Sequence, residues 1–306
     1  MPLQPVAADI DPKQIQHEVA LFRYDKGDDR YYYRYVDKVQ RIPFLSVTSF
    51  CQKSLGISNG LYEWAIKMGK EAAVHYAQMR ADYGTRLHVE IVDIIREGGG
   101  NFLEISRRTY RLAEEMGYGY TADVWADDIV RDIAAFLKFW KDRNCKIIFA
   151  EFPIYSDKYG VGGCIDLGME MDFGRKRVNA IVDIKSGRKG FFNSHRLQLH
   201  VYKTLWNEMF EDQWPVTHVF NFAPAAWKEK KNKPKEEWPS YKLENQTDHY
   251  FKNTVVNRLK IAKLEGWIDP PTGHLDIVGN FDLDTFDFEK ILQKTEFEYA
   301  NVAEPF

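Results

Sequence analysis

The stretch Gly162-Gly163-Cys164-Ile165-Asp166, followed after a short turn by Ile181-Val182-Asp183-Ile184-Lys185-Ser186-Gly187, decides the fold of this chain. Successive side chains of a strand point to opposite faces, so Asp183 and Lys185 share one face of the second segment. On the first segment Asp166 occupies one face, and its neighbour Ile165 points to the other. The two segments therefore predict a β-hairpin with an apolar face and a polar face, and the polar face carries carboxylates and a lysine.

The turn between the two strands sets their register. If Asp172 and Arg177 pair across a four-residue loop, counting outward places Asp166 opposite Asp183. Facing residues of an antiparallel pair have Cα atoms about 4.5 to 5.5 Å apart, and like charges there are destabilising unless a cation compensates. Mg²⁺ and Mn²⁺ prefer oxygen ligands and are commonly held by carboxylates together with phosphate oxygens. The hairpin therefore predicts phosphodiester hydrolysis, in which Lys185 orients the attacking water or stabilises charge in the transition state.

A lone Asp-x-Lys tripeptide is also typical of ordinary exposed strand residues, so the neighbouring motifs decide between the two interpretations. Gly84-x-x-x-His88 precedes the hairpin, and Gln198-x-x-x-Tyr202 follows it. In this order the motifs resemble the PD-(D/E)XK nuclease superfamily, in its RecB-type exonuclease branch. Phage recombination exonucleases and the mitochondrial genome maintenance exonuclease are similar. The resemblance implies an α/β fold with a restriction-endonuclease-like core, in which helices flank a central mixed sheet and a helical segment is inserted.

The resemblance also implies roles for individual residues. The implied catalytic residues are Asp166, Asp183 and Lys185. The implied ligands of Mg²⁺ or Mn²⁺ are His88, Asp166, Asp183 and the backbone carbonyl of Ile184, with Glu151 as a further ligand or, alternatively, a solvent-facing edge residue. The predicted DNA contacts are Gln198, Tyr202, Ser186, Arg188, Lys189, Lys230, Lys231 and Lys233. A run of lysines is equally typical of a solvated loop, and His195 and His200 match no motif and are predicted to lie on the surface.

Composition excludes several classes of protein. The chain has 306 residues and a formal net charge of −3, so any DNA-binding surface must be local. Its three cysteines, Cys51, Cys145 and Cys164, form no C-x-x-C pair. This argues against a disulfide framework, a structural zinc site and the four-cysteine iron-sulfur cluster of some RecB-type nucleases, so we expect no cluster.

The first residues of the chain lack the basic start and apolar core of a secretory signal. No run approaches the roughly 20 apolar residues that span a membrane. We therefore expect a soluble protein without a membrane partner, in the cytoplasm of a bacterium or of a phage-infected host cell.

We expect one nuclease domain over residues 1–306 rather than separable units. Its predicted parts are an N-terminal arm and small sheet region (1–58), a helical part (59–143), a catalytic core (144–266) and a C-terminal tail (267–306). Within the helical part, we expect one helix to end before Gly84 and Thr85 to cap the next. A strand is predicted over residues 146–155, and a helix capped by Asn193 or Ser194 carries the Gln-x-x-x-Tyr motif.

The function that these observations predict is a divalent-metal-dependent DNA exonuclease that acts at DNA ends in recombination, repair or replication. The substrate is DNA with single-stranded or duplex ends, and a single-strand-annealing or single-strand-binding protein is a further candidate partner. One alternative is a structure-specific endonuclease or junction resolvase on the same core. Another is a DNA-binding relative without catalytic activity, which the complete set of Asp166, Asp183 and Lys185 disfavours.

Overall fold

The fold is described from a computed structural model for residues 21–26, 29–35, 41–56, 59–187, 190–225 and 239–267. The strands are β1 (Phe22–Lys26), β2 (Asp29–Tyr35), β3 (Arg41–Ser46), β4 (Lys146–Ser156), β5 (Val161–Phe173), β6 (Lys176–Ile184), β7 (His218–Pro224) and β8 (Tyr241–Asn245). The helices are α1 (Val47–Leu55), α2 (Asn59–Met68), α3 (Lys70–Glu97), α4 (Phe102–Glu115), α5 (Ala122–Asp142), α6 (Asn193–Phe210) and α7 (Phe251–Leu264), with a 3-10 turn at Gly119–Thr121.

The described strands form one mixed eight-stranded sheet, which confirms the predicted α/β class. Hydrogen-bonded neighbours follow the order β1-β2-β3-β5-β6-β7-β8, and β4 pairs with β5 beside this path. The pairs β3/β5 and β6/β7 are parallel, and the other pairs are antiparallel. The sheet is therefore built around β5, which contacts three other strands.

The two edges of β5 are used differently. One edge pairs with β4 from Val161 to Glu170. Since that edge is occupied, β3 and β6 must share the other edge, where β3 pairs with residues 161–162 and β6 with residues 167–173. Residues 163–166 lie between the two partners. The segment Gly163-Cys164-Ile165-Asp166 therefore lies in a gap in the sheet.

The hairpin of β5 and β6 has the predicted register. Asp172 pairs with Arg177, and the ladder continues to Leu167 opposite Val182, one residue short of Asp166 and Asp183. The loop is tighter than expected, because Phe173 and Lys176 also pair and leave a two-residue turn. Gly174 takes a φ of 63° in that turn, a conformation that glycine adopts without steric cost.

Helices cover both faces of the sheet. Helices α1, α6 and α7 contribute to one buried cluster, which includes Ile181 of β6. Helices α3, α4 and α5 contribute to the other, which includes Val182 and Ile184 of the same strand. The predicted apolar face is buried throughout, but the predicted polar face is only partly solvated, because Gly168 lies against Phe149 and Ile181 belongs to the first cluster. Polar groups lie at both ends of the hairpin: Asp166 and Asp183 at one end, and Glu170 and Asp172, which form ion pairs with Arg177, at the other.

The helical part differs from the prediction at two glycines. Helix α3 runs without interruption through Gly84, so neither the break there nor the cap at Thr85 is correct. The Thr85 hydroxyl instead donates to the carbonyl of Ala81 within the helix. The break lies at Gly69, between the end of α2 and the start of α3, where the backbone φ is 85°. A glycine in left-handed conformation is a stronger helix boundary than one with ordinary dihedral angles.

Other boundaries agree closely with the sequence prediction. Strand β4 spans the expected segment and one further residue, and α6 begins at Asn193. The cap of α6 is Phe192 rather than Asn193 or Ser194. Among the described residues, no helix is long and apolar enough to cross a membrane.

Candidate metal centre

Asp166 lies at the gap in β5 and fastens the end of β6. Its Oδ2 accepts a hydrogen bond from the backbone N–H of Ile184 at 2.7 Å. In a continuous ladder this N–H would bond to a backbone carbonyl, so a carboxylate side chain takes that place. Asp166 and Asp183 are the next residues beyond the last pair of the ladder, and the Asp183 charge acts on Asp166.

His88 reaches the same point from the middle of α3. Its Nε2 lies 2.9 Å from the carbonyl oxygen of Ile184 and donates to it, because a carbonyl oxygen only accepts. In the neutral ring Nδ1 therefore carries the lone pair. Nδ1 lies 3.7 Å from Asp166 Oδ1 and 3.8 Å from Glu151 Oε1. The Ile184 carbonyl, predicted as a metal ligand, thus fixes the orientation of the imidazole.

Glu151 completes this group from β4. Its neighbours Ala150 and Phe152 pair with Leu167 and Ile165, which places Glu151 beside Asp166 across the two strands. The backbone of Glu151 has a φ of 50°, a conformation uncommon for residues other than glycine. Such backbone strain occurs preferentially at functional sites, where the surrounding structure enforces it. Glu151 therefore lies with the other predicted ligands, on a described strand that pairs only with β5 and with a side chain that is 36% exposed.

His88, Glu151 and Asp166 fit a divalent cation. Each offers a ligand atom, and these atoms lie within 4.8 Å of one another. Two carboxylates are ligands that Mg²⁺ and Mn²⁺ both accept, and the imidazole nitrogen suits Mn²⁺ better. Asp183 is bound differently, because Lys185 Nζ donates to its Oδ1 at 2.7 Å and Asn221 Nδ2 donates to its Oδ2 at 2.8 Å.

Asn221 is a site residue that the sequence interpretation missed. It lies on β7 directly beside Asp183 in the parallel register and is fully buried. The available signal was a lone amide inside the apolar run Val219-Phe220-Asn221-Phe222. A buried polar residue needs a partner, so this position pointed to a polar group on the neighbouring strand.

The predicted Gln-x-x-x-Tyr face of α6 does border Lys185. Lys185 Nζ donates to Gln198 Oε1 at 3.3 Å, and Gln198 Nε2 donates to the Tyr202 hydroxyl at 3.4 Å. Tyr202 is almost fully buried and lies against Gly163, where an added Cβ would come within 2.9 Å of its hydroxyl oxygen. Gln198 therefore positions the lysine, and Gly163 is required for close packing.

The glycine of the Gly84-x-x-x-His88 motif has a similar role. A Cβ added at Gly84 would lie 3.0 Å from the hydroxyl oxygen of Ser186, in the segment that follows β6. One turn earlier on α3, Arg80 donates to the backbone carbonyl of Ser186 at 3.2 Å. These contacts hold α3 against the segment after Lys185. The glycine of the motif thus allows α3 to approach the site closely.

The site residues interact electrostatically. Burial raises the pKa of Asp166 to about 6, with the Asp183 charge acting in the same direction against the opposing effect of His88. Burial opposes protonation of His88, but Asp166 and Glu151 outweigh it and raise its pKa to about 9. Burial likewise disfavours charged Lys185, yet Asp183 and Asp166 raise its pKa overall. A metal ion at Nδ1 of His88 must therefore displace a proton.

The remaining predicted residues separate into two groups. Ser186 lies beside the site, whereas Arg188, Lys189, Lys230, Lys231 and Lys233 lie outside the described residues. The prediction that His200 lies on the surface is wrong, because the residue is buried and donates from Nε2 to the Gln246 carbonyl at 2.9 Å. His195 is partly buried on the same face of α6 as Gln198.

Comparison with known proteins adds no assignment. No protein-family model matches the chain, and no curated protein matches it. The geometry of the site therefore carries the functional argument.

Proposed function

We propose that the protein is a divalent-metal-dependent DNA exonuclease with a PD-(D/E)XK-type site. One observation carries the proposal: His88, Glu151 and Asp166 converge within 4.8 Å beside the Asp183 and Lys185 pair. These residues come from α3, from the consecutive strands β4, β5 and β6, and from the first residue after β6. Oxygen-rich ligands next to a fixed lysine suit the hydrolysis of a phosphodiester.

The residues of the chain divide the chemistry between them. His88, Glu151 and Asp166 hold the cation, which when bound supplies Lewis-acid stabilisation of phosphate oxygens and a more acidic water. Lys185 is kept charged by Asp183 and is directed by Gln198. Its ammonium group then orients the attacking water or meets negative charge that develops on the phosphate.

End-labelled single-stranded and duplex DNA, incubated with Mg²⁺ or Mn²⁺, tests this proposal. We expect the protein to digest linear DNA but not covalently closed circular DNA. EDTA should stop the digestion. Efficient cutting of closed circles would favour the endonuclease or resolvase alternative. Binding without any cleavage would favour the non-catalytic alternative.

Matched variants connect the activity to the site. Asp166→Asn preserves side-chain shape but removes a charged ligand, so cleavage and Mn²⁺ binding measured by calorimetry should both be lost. Asp172→Asn is the control, because Asp172 is partly exposed on the same strand and forms an ion pair with Arg177 away from the site. Equal activity in Asp166→Asn and Asp172→Asn would refute the assignment of the site.

A further inference from the structure

A row of side chains leads from the buried site to the surface along α6. Tyr202 is 4% exposed, Gln198 and His195 are partly buried, and Phe192 is 61% exposed. Residues three or four positions apart on a helix are neighbours on one face. Phe192 caps the helix, so the row ends in an exposed aromatic ring at the start of α6.

Phe192 is held in place by His195. Its backbone N–H donates to His195 Nδ1 at 3.3 Å, the role that the third residue of a helix plays in a capping box. The two rings also contact edge to face, with centroids 5.3 Å apart and planes at 75°. The hydrogen bond fixes the backbone of Phe192, and the edge-to-face contact with His195 orients its exposed ring.

His195 belongs to the surroundings of the candidate site. The charges of Lys185, Asp183 and Arg196 all act on its imidazole, and burial has the largest effect, lowering its pKa to about 4. Arg196 points elsewhere, towards Asn193 and Glu244. His195 is consequently neutral near pH 7, and the hydrogen bond from Phe192 persists across the range in which nucleases are assayed.

The position of Phe192 suits one kind of ligand. At the rise of an α-helix, Phe192 lies about 9 Å along the axis from Gln198, which accepts a hydrogen bond from Lys185. A nucleobase presents a flat π face to such a ring, and stacking on an aromatic side chain is worth about 1 to 3 kcal/mol per base. An aromatic ring that is already ordered loses little side-chain entropy when it binds.

We infer that Phe192 stacks on an unpaired base of the substrate next to the reacting phosphate, and that His195 is the positioning residue that holds this ring. The inference rests on the proposed function and adds a substrate contact to the same site. It assigns a role to two residues for which the sequence motifs predict none.

Substrates with one abasic position provide the test. A set of labelled oligonucleotides, each lacking one base near the end, is bound to the protein in Ca²⁺ and measured by fluorescence anisotropy. We expect one position at which the missing base weakens wild-type binding about tenfold. Phe192→Ala should weaken binding of intact DNA by a similar factor and should be insensitive to that abasic position, whereas Phe192→Trp should retain the wild-type pattern.

Two further variants test the role of His195 and the specificity of the effect. His195→Asn keeps an acceptor for the Phe192 N–H but lacks the ring contact, so its affinity for intact DNA should lie between that of the wild type and that of His195→Leu. His195→Leu removes that acceptor and should reproduce the loss seen in Phe192→Ala, with thermal unfolding confirming that it folds. Phe102→Ala is the matched control, because Phe102 is also exposed but lies on α4, which contributes no site residue.

Different results overturn the stacking of Phe192 and the proposed nuclease function. If Phe192→Ala and the abasic position weaken binding independently, so that their effects multiply, the ring does not stack on that base and the inference is overturned. The inference is equally overturned if no abasic position affects wild-type binding while the protein still cleaves DNA. If the wild-type protein neither binds nor cleaves DNA, the proposed function falls and the inference falls with it.

Discussion

Replacing Asn221 with alanine tests whether the site depends on a polar contact inside the sheet. Asn221 is fully buried, and its Nδ2 donates to Asp183 Oδ2 at 2.8 Å. The other carboxylate oxygen is bound by Lys185 at 2.7 Å. Asn221→Ala therefore leaves one oxygen of a buried carboxylate without its donor, and water does not reach it easily.

The expected loss of unfolding free energy is about 2 kcal/mol. A hydrogen bond to a charged group contributes about 1.5 to 3 kcal/mol, and the space left by the amide adds to the cost. One effect opposes this loss, because Asn221 Oδ1 is itself buried without a hydrogen-bond partner and its removal relieves a penalty. The hydrogen bond to the carboxylate outweighs this relief because one of its partners is charged.

Urea unfolding of the wild type, Asn221→Ala, Asp183→Asn and the double variant measures the effect and its origin. The double-mutant cycle should show a coupling energy of about 1 kcal/mol or more, since the two side chains share one interaction. Asn207→Ala is the control: Asn207 Oδ1 is also buried without a partner, but no described carboxylate accepts from this residue. A loss below about 0.5 kcal/mol for Asn221→Ala, with no coupling to Asp183, would refute the reasoning.

Three other perturbations have definite expected outcomes. Lys185→Arg and Lys185→Ala should both lower the cleavage rate at saturating DNA by about 10²- to 10³-fold, because a guanidinium does not reproduce a fixed ammonium donor; near-normal turnover of the arginine variant would show that charge alone suffices. Gly168→Ala should destabilise the fold by about 3 kcal/mol, since its Cβ would overlap the ring of Phe149. Gly60→Ala should stabilise the fold by about 0.5 to 1 kcal/mol, because no atom lies close to the added Cβ on α2. Thermal or urea unfolding in which Gly168→Ala is as stable as Gly60→Ala would contradict this packing. Burial lowers the pKa of His200 to about 4, so the unfolded state binds more protons between its ordinary pKa of 6.5 and that value, and stability falls as the pH falls through this window. The wild type should lose about 2 kcal/mol more than His200→Gln between pH 7 and pH 5, because glutamine keeps a donor and does not titrate; equal pH dependence of the two proteins would exclude His200 as the cause.

Local sequence patterns determined the hairpin and its register. The expected pairing of Asp172 with Arg177 is present although the turn has two residues instead of four, and counting outward gives the ladder as far as Leu167 and Val182, next to Asp166 and Asp183. The end of α3 at Gly98 is equally local, because the glycine takes a left-handed conformation there. These features depend on contacts between residues that are close in the sequence, so a local sequence pattern can predict them.

Tertiary structure decided which residues meet at the site. Gly84 was predicted to break a helix, but its dihedral angles are ordinary. A glycine is needed there because α3 approaches Ser186, about 100 residues later in the chain. The burial of His200 depends on the Gln246 carbonyl, which no helical pattern reveals. Asn221 meets Asp183 only because β6 and β7 are parallel neighbours, and a parallel pair is joined by a long crossover that leaves the register undefined in the sequence. His88 and Glu151 likewise converge on Asp166 through packing of α3 and the strained backbone of β4. Contacts between distant segments are set by the packing of the whole sheet. For that reason the residues by themselves predict the hairpin, whereas His88 and Glu151 were expected only from the family resemblance and Asn221 was not expected.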